Sequence, residues 1–398
     1  MNSIDSLPLG IPASVSPDLI CFCHLKWDFV YQRPQHLMKR ISKKYRSFFV
    51  EEPVYYDGPD KYILRMEGDI RVVQFKLEQS LKIAIPEAIR QRGLLQQLIQ
   101  DQNIKQFIVW YYTPMALQFS RHLKPVLTVY DCMDELSAFK FAPPELKMLE
   151  DALLQQANVV FTGGHSLYEA KKHLHSNIYP FPSSIDKSHF EAARSVMAQP
   201  ADQDNIPGKR LGFYGVIDER FNIQLIKEAA EQRPDWQFVL VGPVVKIEES
   251  SLPRLQNIHY LGSKTYDELP VYLSGWDIAM IPFEKNESTQ FISPTKTPEY
   301  LAAGKPVIST SITDVVNPYK VNNLVHIADN AEQFIKAAEQ EFNRSTTDYN
   351  NWLERVDEFL SAISWDITAA NMLSRMQACI QEDKINDAKK VASLQSVA

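Results

Sequence analysis

Cysteine is scarce, with four residues in 398, and no CxxC pair or Cys/His cluster accompanies them. That excludes a disulfide framework and a thiolate metal site, and a reducing compartment is the simpler home. No apolar run approaches the ~20 residues of a membrane-spanning helix. The first eighteen residues carry no basic segment followed by a long apolar stretch, so they do not read as a signal peptide. There is no excess of positive charge: 42 basic against 49 acidic residues leave a formal net charge of −7. Broad binding to nucleic acid is thereby excluded, while a local basic pocket for phosphate is not. GxGxxG and Walker A sequences are also missing, which argues against a conventional dinucleotide dehydrogenase or an NTP hydrolase. With 45% hydrophobic residues and this length, the chain reads as two soluble globular domains. It is expected in the cytoplasm, with peripheral contact to the inner face of a membrane left open.

Short apolar runs alternate with amphipathic segments. Strands are expected at 19–24 (LICFCH), 46–50, 70–75, 106–110 (QFIVW), 126–130 (VLTVY) and 158–162. Helices are expected from Pro34 to about Ser42 and over 83–100, 145–156 and 166–173, the last capped by Ser166. A segment rich in Ala, Gln, Asp and Pro, 192–209, reads as a linker. A second alternation follows, with strands at 211–214, 237–241, 258–261, 278–282, 307–309 and 325–327. The predicted fold is α/β, two doubly wound parallel sheets, each covered on both faces by helices. The expected boundaries are 19–191 for the first domain and 210–350 for the second. Helices over 351–381 should pack back toward the first domain, and a polar tail should occupy 382–398. Ligands of open parallel sheets bind beyond the carboxyl ends of the strands, which here means the cleft between the domains.

Three loops at predicted strand ends carry candidate chemistry. The first holds His24, Trp27 and Asp28, followed by Arg33. Trp27 suits stacking on a pyranose face or packing of the next helix, and Asp28 suits a sugar hydroxyl or a cap. Arg33, near a helix N-terminus, suits an anion, an interdomain contact or an ion pair with Glu51. The second loop, YDCMDE at 130–135, places Asp131, Asp134 and Glu135 within five positions as base, metal ligand or hydroxyl acceptors. No DxD-type pair occurs there, so hydroxyl recognition is favoured over metal. His165 follows the next strand after Gly163 and Gly164. The third loop is the most informative: Ser293, Pro294, Thr295 and Lys296 precede Pro298 and Glu299 at a helix start. Lys296 and free backbone donors converge there as for a diphosphate, and Glu299 is placed for a ribose diol. Alternatively, Glu299 is a helix-dipole partner of Lys296. Gly215, Gly242, Pro243 and Gly262 close strands where a planar base could approach the backbone. Arg220 suits phosphate, or an ion pair with Glu219 or Glu228.

These pieces resemble the GT-B glycosyltransferases, in particular the large retaining family of glycogen synthase-like and lipopolysaccharide sugar transferases, glycosyltransferase family 4. Within it the branch near the teichuronic acid transferases is the most similar. The resemblance is carried by WDFVYQRPQHL (27–37), YDCMDE (130–135), FTGGHSLYEAKK (161–172), YGVIDERF (214–221) and SPTKTPEYLAAGKPV (293–307). It implies a nucleotide-sugar donor held by the second domain, an acceptor held by the first, and no metal. Glu299 matches the second glutamate of the family's EX7E motif, the one that holds ribose. The first glutamate's position reads Phe291, and the family's phosphate-loop Arg and Lys positions read Val216 and Phe221. The family's N-terminal-domain histidine matches Asp131.

The resulting expectation is transfer of a sugar from a UDP- or GDP-linked donor to a hydroxyl of a cell-surface polysaccharide or lipid-linked glycan. Asp131 and Asp28 are its catalytic candidates, and no cofactor beyond the nucleotide sugar is called for. The rivals are a nucleotide-sugar epimerase on the same scaffold and a noncatalytic nucleotide- or glycan-binding protein.

Overall fold

A computed structural model describes residues 16–195 and 197–395. The reading of the extreme N-terminus as free of a signal peptide falls largely outside them, as do the last three tail residues.

The first sheet is built from β1 (Asp18–Phe22), β2 (Ser47–Val50), β3 (Val54–Tyr56), β4 (Lys61–Glu67), β5 (Ile70–Glu78), β6 (Phe107–Tyr111), β7 (Leu127–Cys132), β8 (Val159–Thr162) and β9 (Ile178–Pro180). Its order is β3-β5-β2-β1-β6-β7-β8-β9, with β4 antiparallel to β5 at the edge. The second sheet comprises β10 (Lys209–Tyr214), β11 (Trp236–Val241), β12 (Ile258–Tyr260), β13 (Ile278–Ile281), β14 (Val307–Ser309) and β15 (His326–Ile327). It is parallel throughout, in the order β12-β11-β10-β13-β14-β15. Both orders reverse direction beside their first strand, the switch point at which open sheets leave a crevice. The central strands are buried along their length because helices cover both faces, which is why they read as unbroken apolar runs. Separate apolar clusters form on the two faces of the first sheet, and one cluster serves the second domain.

Several boundaries differ from expectation. The β3–β4 insertion went unread because β4 is an edge strand of mixed exposure, without a clean alternation. β7 runs on to Cys132, so Asp131 lies inside the strand. The stretch read as a linker, 192–209, is structured: Ala193 and Ile206 belong to the second domain's core, and so do Ile185 and Phe190, which were expected in the first domain. Within it Gln203 is fully buried and accepts the indole N–H of Trp276 at 2.8 Å. The helix Thr346–Leu360 packs Trp352, Val356 and Leu360 into that same second-domain core. Only the next helix, Trp365–Gln395, crosses back, placing Trp365, Ala369, Met372 and Met376 against the first domain. The expected tail continues this helix as far as Gln395. Among the described residues no helix is long and apolar enough to cross a membrane.

Candidate active site

A cavity of about 640 Å³ lies between the domains, and its walls come from the loops at strand carboxyl ends. Residues 27–33 follow β1, Met133 and Asp134 follow β7, Gly163 follows β8 and Ser183 lies beyond β9. Opposite stand Gly215 and Val216 after β10, Gly242 and Pro243 after β11, residues 263–266 beyond β12, and residues 292–296 with Glu299.

The second-domain wall is a close-packed set of backbone turns with one unpaired cation. Gly215 has φ +138°, and a Cβ there would sit 2.4 Å from Lys296 Cε and 2.8 Å from its Nζ. Gly242 has φ +141°, and its Cβ would meet the Gly215 carbonyl oxygen at 1.9 Å. Neither position admits a side chain without strain. The bare turns let Lys296 lie along the rim, with Nζ 5.6 Å from the ring centres of Phe213 and Phe283. Among the described residues Lys296 makes no hydrogen bond or ion pair. Burial pushes its pKa down, while Glu299 works in the other direction. Glu299 is 4% exposed and accepts a hydrogen bond from the Tyr214 hydroxyl; burial pushes its carboxyl up. Its neighbour in space is therefore a hydroxyl as well as a cation, and its second oxygen is left for a ligand.

Arg220 is held by Asp218 rather than by Glu219 or Glu228. Its Nη2 and Nε reach the Asp218 carboxylate at 2.7 Å and 3.0 Å, leaving Nη1 uncommitted at the cavity wall. Ser293, Pro294 and Thr295 line the cavity. Ser293 also bridges the domains, with its Oγ accepting from the Ser183 N–H at 3.3 Å. Gly262 does not line the cavity; its carbonyl accepts the Gly242 N–H at 2.8 Å and so supports the turn that does. Phe291, where the family's first glutamate would stand, packs against apolar side chains of the first domain.

The first-domain wall redistributes the expected roles. Asp131 is fully buried and spent on Arg33, with Nη2 to Oδ1 at 2.8 Å and Nε to Oδ2 at 3.0 Å. The same guanidinium donates from Nη1 to the Phe181 carbonyl at 2.6 Å. Asp131 is thus a buried ion-pair partner away from the cavity, not a free carboxylate at a strand end, and Arg33 pairs with it instead of with Glu51. Glu135 is likewise taken, by Lys171 at 2.7 Å, and Lys171 is also held by Glu150 at 2.9 Å. Of the three carboxylates in YDCMDE only Asp134 faces the cavity. Its side chain has no hydrogen bond or ion pair among the described residues, and burial raises its pKa to about 6 against the pull of Arg220, Arg33 and Lys296.

Asp28 lines the cavity with its side chain 72% exposed, tied to Arg65 at 2.7 Å. Trp27 is a packing residue more than a platform: it is 7% exposed, its ring centre is 5.0 Å from that of Phe49, and its backbone N–H donates to Glu51 at 2.6 Å. His24 lies off the cavity wall, and burial together with Lys246 lowers its pKa to about 4. His165 is exposed at a helix start and also off the wall. Ser166 does not cap that helix. Asp314, from the other domain, accepts the Ser166 N–H at 2.9 Å.

Sequence did not single out several wall residues, among them Tyr31, Gln32, Lys39, Lys264 and Tyr266. Tyr31 and Tyr266 stack across the domain boundary at 4.3 Å, Lys39 lies 4.5 Å over the Tyr31 ring, and Gln32 and Lys264 stand nearby. Tyr31 and Gln32 fall inside the 27–37 piece, and Lys264 follows Gly262, so position in the motifs was the available signal.

Residues 208–343 match the family model for glycosyl transferases group 1. A Bacillus subtilis (strain 168) protein named as a teichuronic acid biosynthesis glycosyltransferase, TuaH, is 28% identical over 258 residues. That match covers 60% of this chain and 64% of the relative's length. Among solved structures, sucrose-phosphate synthase from Thermosynechococcus elongatus superposes with a TM-score of 0.68 at 14% identity, covering 92% of this chain and all of the other. The E. coli trehalose-6-phosphate structure bound with UDP-2-fluoro glucose gives 0.65 at 10% identity, covering 90% of this chain and 98% of the other. The chain therefore has the GT-B fold, and its residues 208–343 match the family model for glycosyl transferases group 1.

Proposed function

We propose that the protein is a glycosyltransferase that moves a sugar from a UDP- or GDP-linked donor to a hydroxyl of a cell-surface polysaccharide or lipid-linked glycan. The observation that carries this reading is the pairing of an unpartnered cation, Lys296, with an unpartnered carboxylate, Asp134, on opposite walls of one interdomain cavity. Lys296 and the free edge of Arg220 suit a diphosphate, and Glu299 suits the ribose diol. Asp134 accepts a hydrogen bond from the acceptor hydroxyl. The new bond forms between that oxygen and the sugar's anomeric carbon as the bond to diphosphate breaks. The hydroxyl proton passes to the departing diphosphate, whose charge Lys296 and Arg220 stabilise. We assign no metal and no cofactor beyond the nucleotide sugar. The relative named for teichuronic acid biosynthesis supports a polysaccharide acceptor, and we place the protein at the cytoplasmic side, with peripheral membrane contact.

The test is a thermal-shift screen of nucleoside diphosphates and nucleotide sugars, since ligands of the folded state alone raise its melting point. Turnover is then followed with donor alone and with donor plus glycan acceptors. A UDP or GDP response with acceptor-dependent turnover is expected. Epimerisation of donor without acceptor, or tight nucleotide binding without transfer to any acceptor, would replace this reading with one of its rivals.

A further inference from the structure

A second hollow, of about 430 Å³, opens beside the cleft and shares Asp28 and Phe29 with it. Its floor is the β4–β5 ladder. Ile63 stands opposite Gln74 and Arg65 opposite Val72, so alternation puts all four on one face. Lys26 and Glu51 complete the wall. Phe29, on the divide between the two cavities, is 45% exposed.

The charges in this hollow cancel. Lys26 and Arg65 face Asp28 and Glu51, and the Arg65 guanidinium is already spent on Asp28 at 2.7 Å, Glu51 at 3.6 Å and Glu67. The Lys26 side chain, by contrast, is exposed and makes no hydrogen bond or ion pair among the described residues. The hollow adds two exposed apolar side chains, Phe29 and Ile63, to a set of amide, carboxylate, ammonium and guanidinium groups. That is the chemistry that suits a pyranose, with one apolar C–H face and a rim of hydroxyls.

We propose that this hollow is a second sugar subsite, and that the acceptor is a glycan at least two units long. Its terminal sugar lies in the cleft and its next sugar crosses Phe29 onto the β4–β5 floor. The inference rests on the glycosyltransferase reading above and adds the acceptor's length to it.

The test titrates UDP-saturated protein with mono-, di- and trisaccharides of glucose, galactose and N-acetylglucosamine, followed by calorimetry and saturation-transfer NMR. In one series the disaccharide is expected to bind at least tenfold tighter than the monosaccharide, with Phe29 and Ile63 protons receiving saturation. Ile63→Trp, which fills the hollow, and Gln74→Ala should each remove that gain, with circular-dichroism melts verifying the fold. The inference is overturned if monosaccharides bind as well as disaccharides throughout, if no saccharide binds, or if Ile63→Trp keeps the gain. UDP binding without a length preference would sink this inference alone, whereas absent UDP binding would sink the donor reading.

Discussion

Replacing Lys296 with alanine separates a ligand-binding role from a structural one, because the side chain has no protein partner to strand. The charged groups that act on it most strongly are Glu299, already held by the Tyr214 hydroxyl, and Arg220, already held by Asp218. The ligand-free variant should therefore melt no lower than the parent, since the change removes a buried charge and leaves no hydrogen-bonding group orphaned. The bound state loses one charge-assisted bond, worth about 1.5–3 kcal/mol. At about 1.4 kcal/mol per decade, that is a loss in UDP affinity of roughly 10- to 150-fold. Calorimetric titration with UDP and GDP measures it. A second arm uses pH. Burial holds the Lys296 ammonium below lysine's usual pKa of ~10.4, and a bound diphosphate requires the charged form, so affinity should fall as alkaline pH removes the proton. Lys296→Arg, which does not titrate in that range, should flatten the fall. Unchanged UDP affinity in a folded Lys296→Ala protein would refute the phosphate assignment, and with it the donor orientation.

Glu299→Gln should narrow the preference for UDP over 2′-deoxy-UDP toward unity in paired titrations; an undiminished preference would leave Glu299 as a partner of Tyr214 only. Asp134, raised to about 6, must be ionised to hold the acceptor hydroxyl, so kcat/KM should climb with pH through that value. Asp134→Asn should cut turnover and erase that limb while donor affinity holds, and a limb that survives would belong to another group. Asp131→Asn leaves the Arg33 guanidinium buried against a neutral amide, with the pair 0% and 4% exposed. Stability in urea should drop by about 3–5 kcal/mol, and an unchanged midpoint would mean that the pair is not structural.

The same residues show how far sequence could be read. The inner strands of both sheets were legible because strands covered on both faces must be apolar throughout. The functional rim was legible with them, since ligands meet parallel sheets beyond the strand ends. Hence Gly215, Lys296, Glu299 and the 130–135 segment could be placed on one cleft before any contact was known. β3 and β4 could not, because an edge strand half-open to solvent carries no burial pattern to recognise. Yet that insertion builds the floor of the second hollow.

Composition and order along the chain determined two doubly wound halves and the loops that face each other, because burial and handedness act on local runs. Which carboxylate is free was decided only by tertiary structure. Asp131, Asp134 and Glu135 are chemically near-equivalent in sequence, and their fates depend on Arg33, 98 residues away, and on Lys171. A charge's availability is a property of what packs against it, and packing partners distant in the chain leave no mark on the residue they claim.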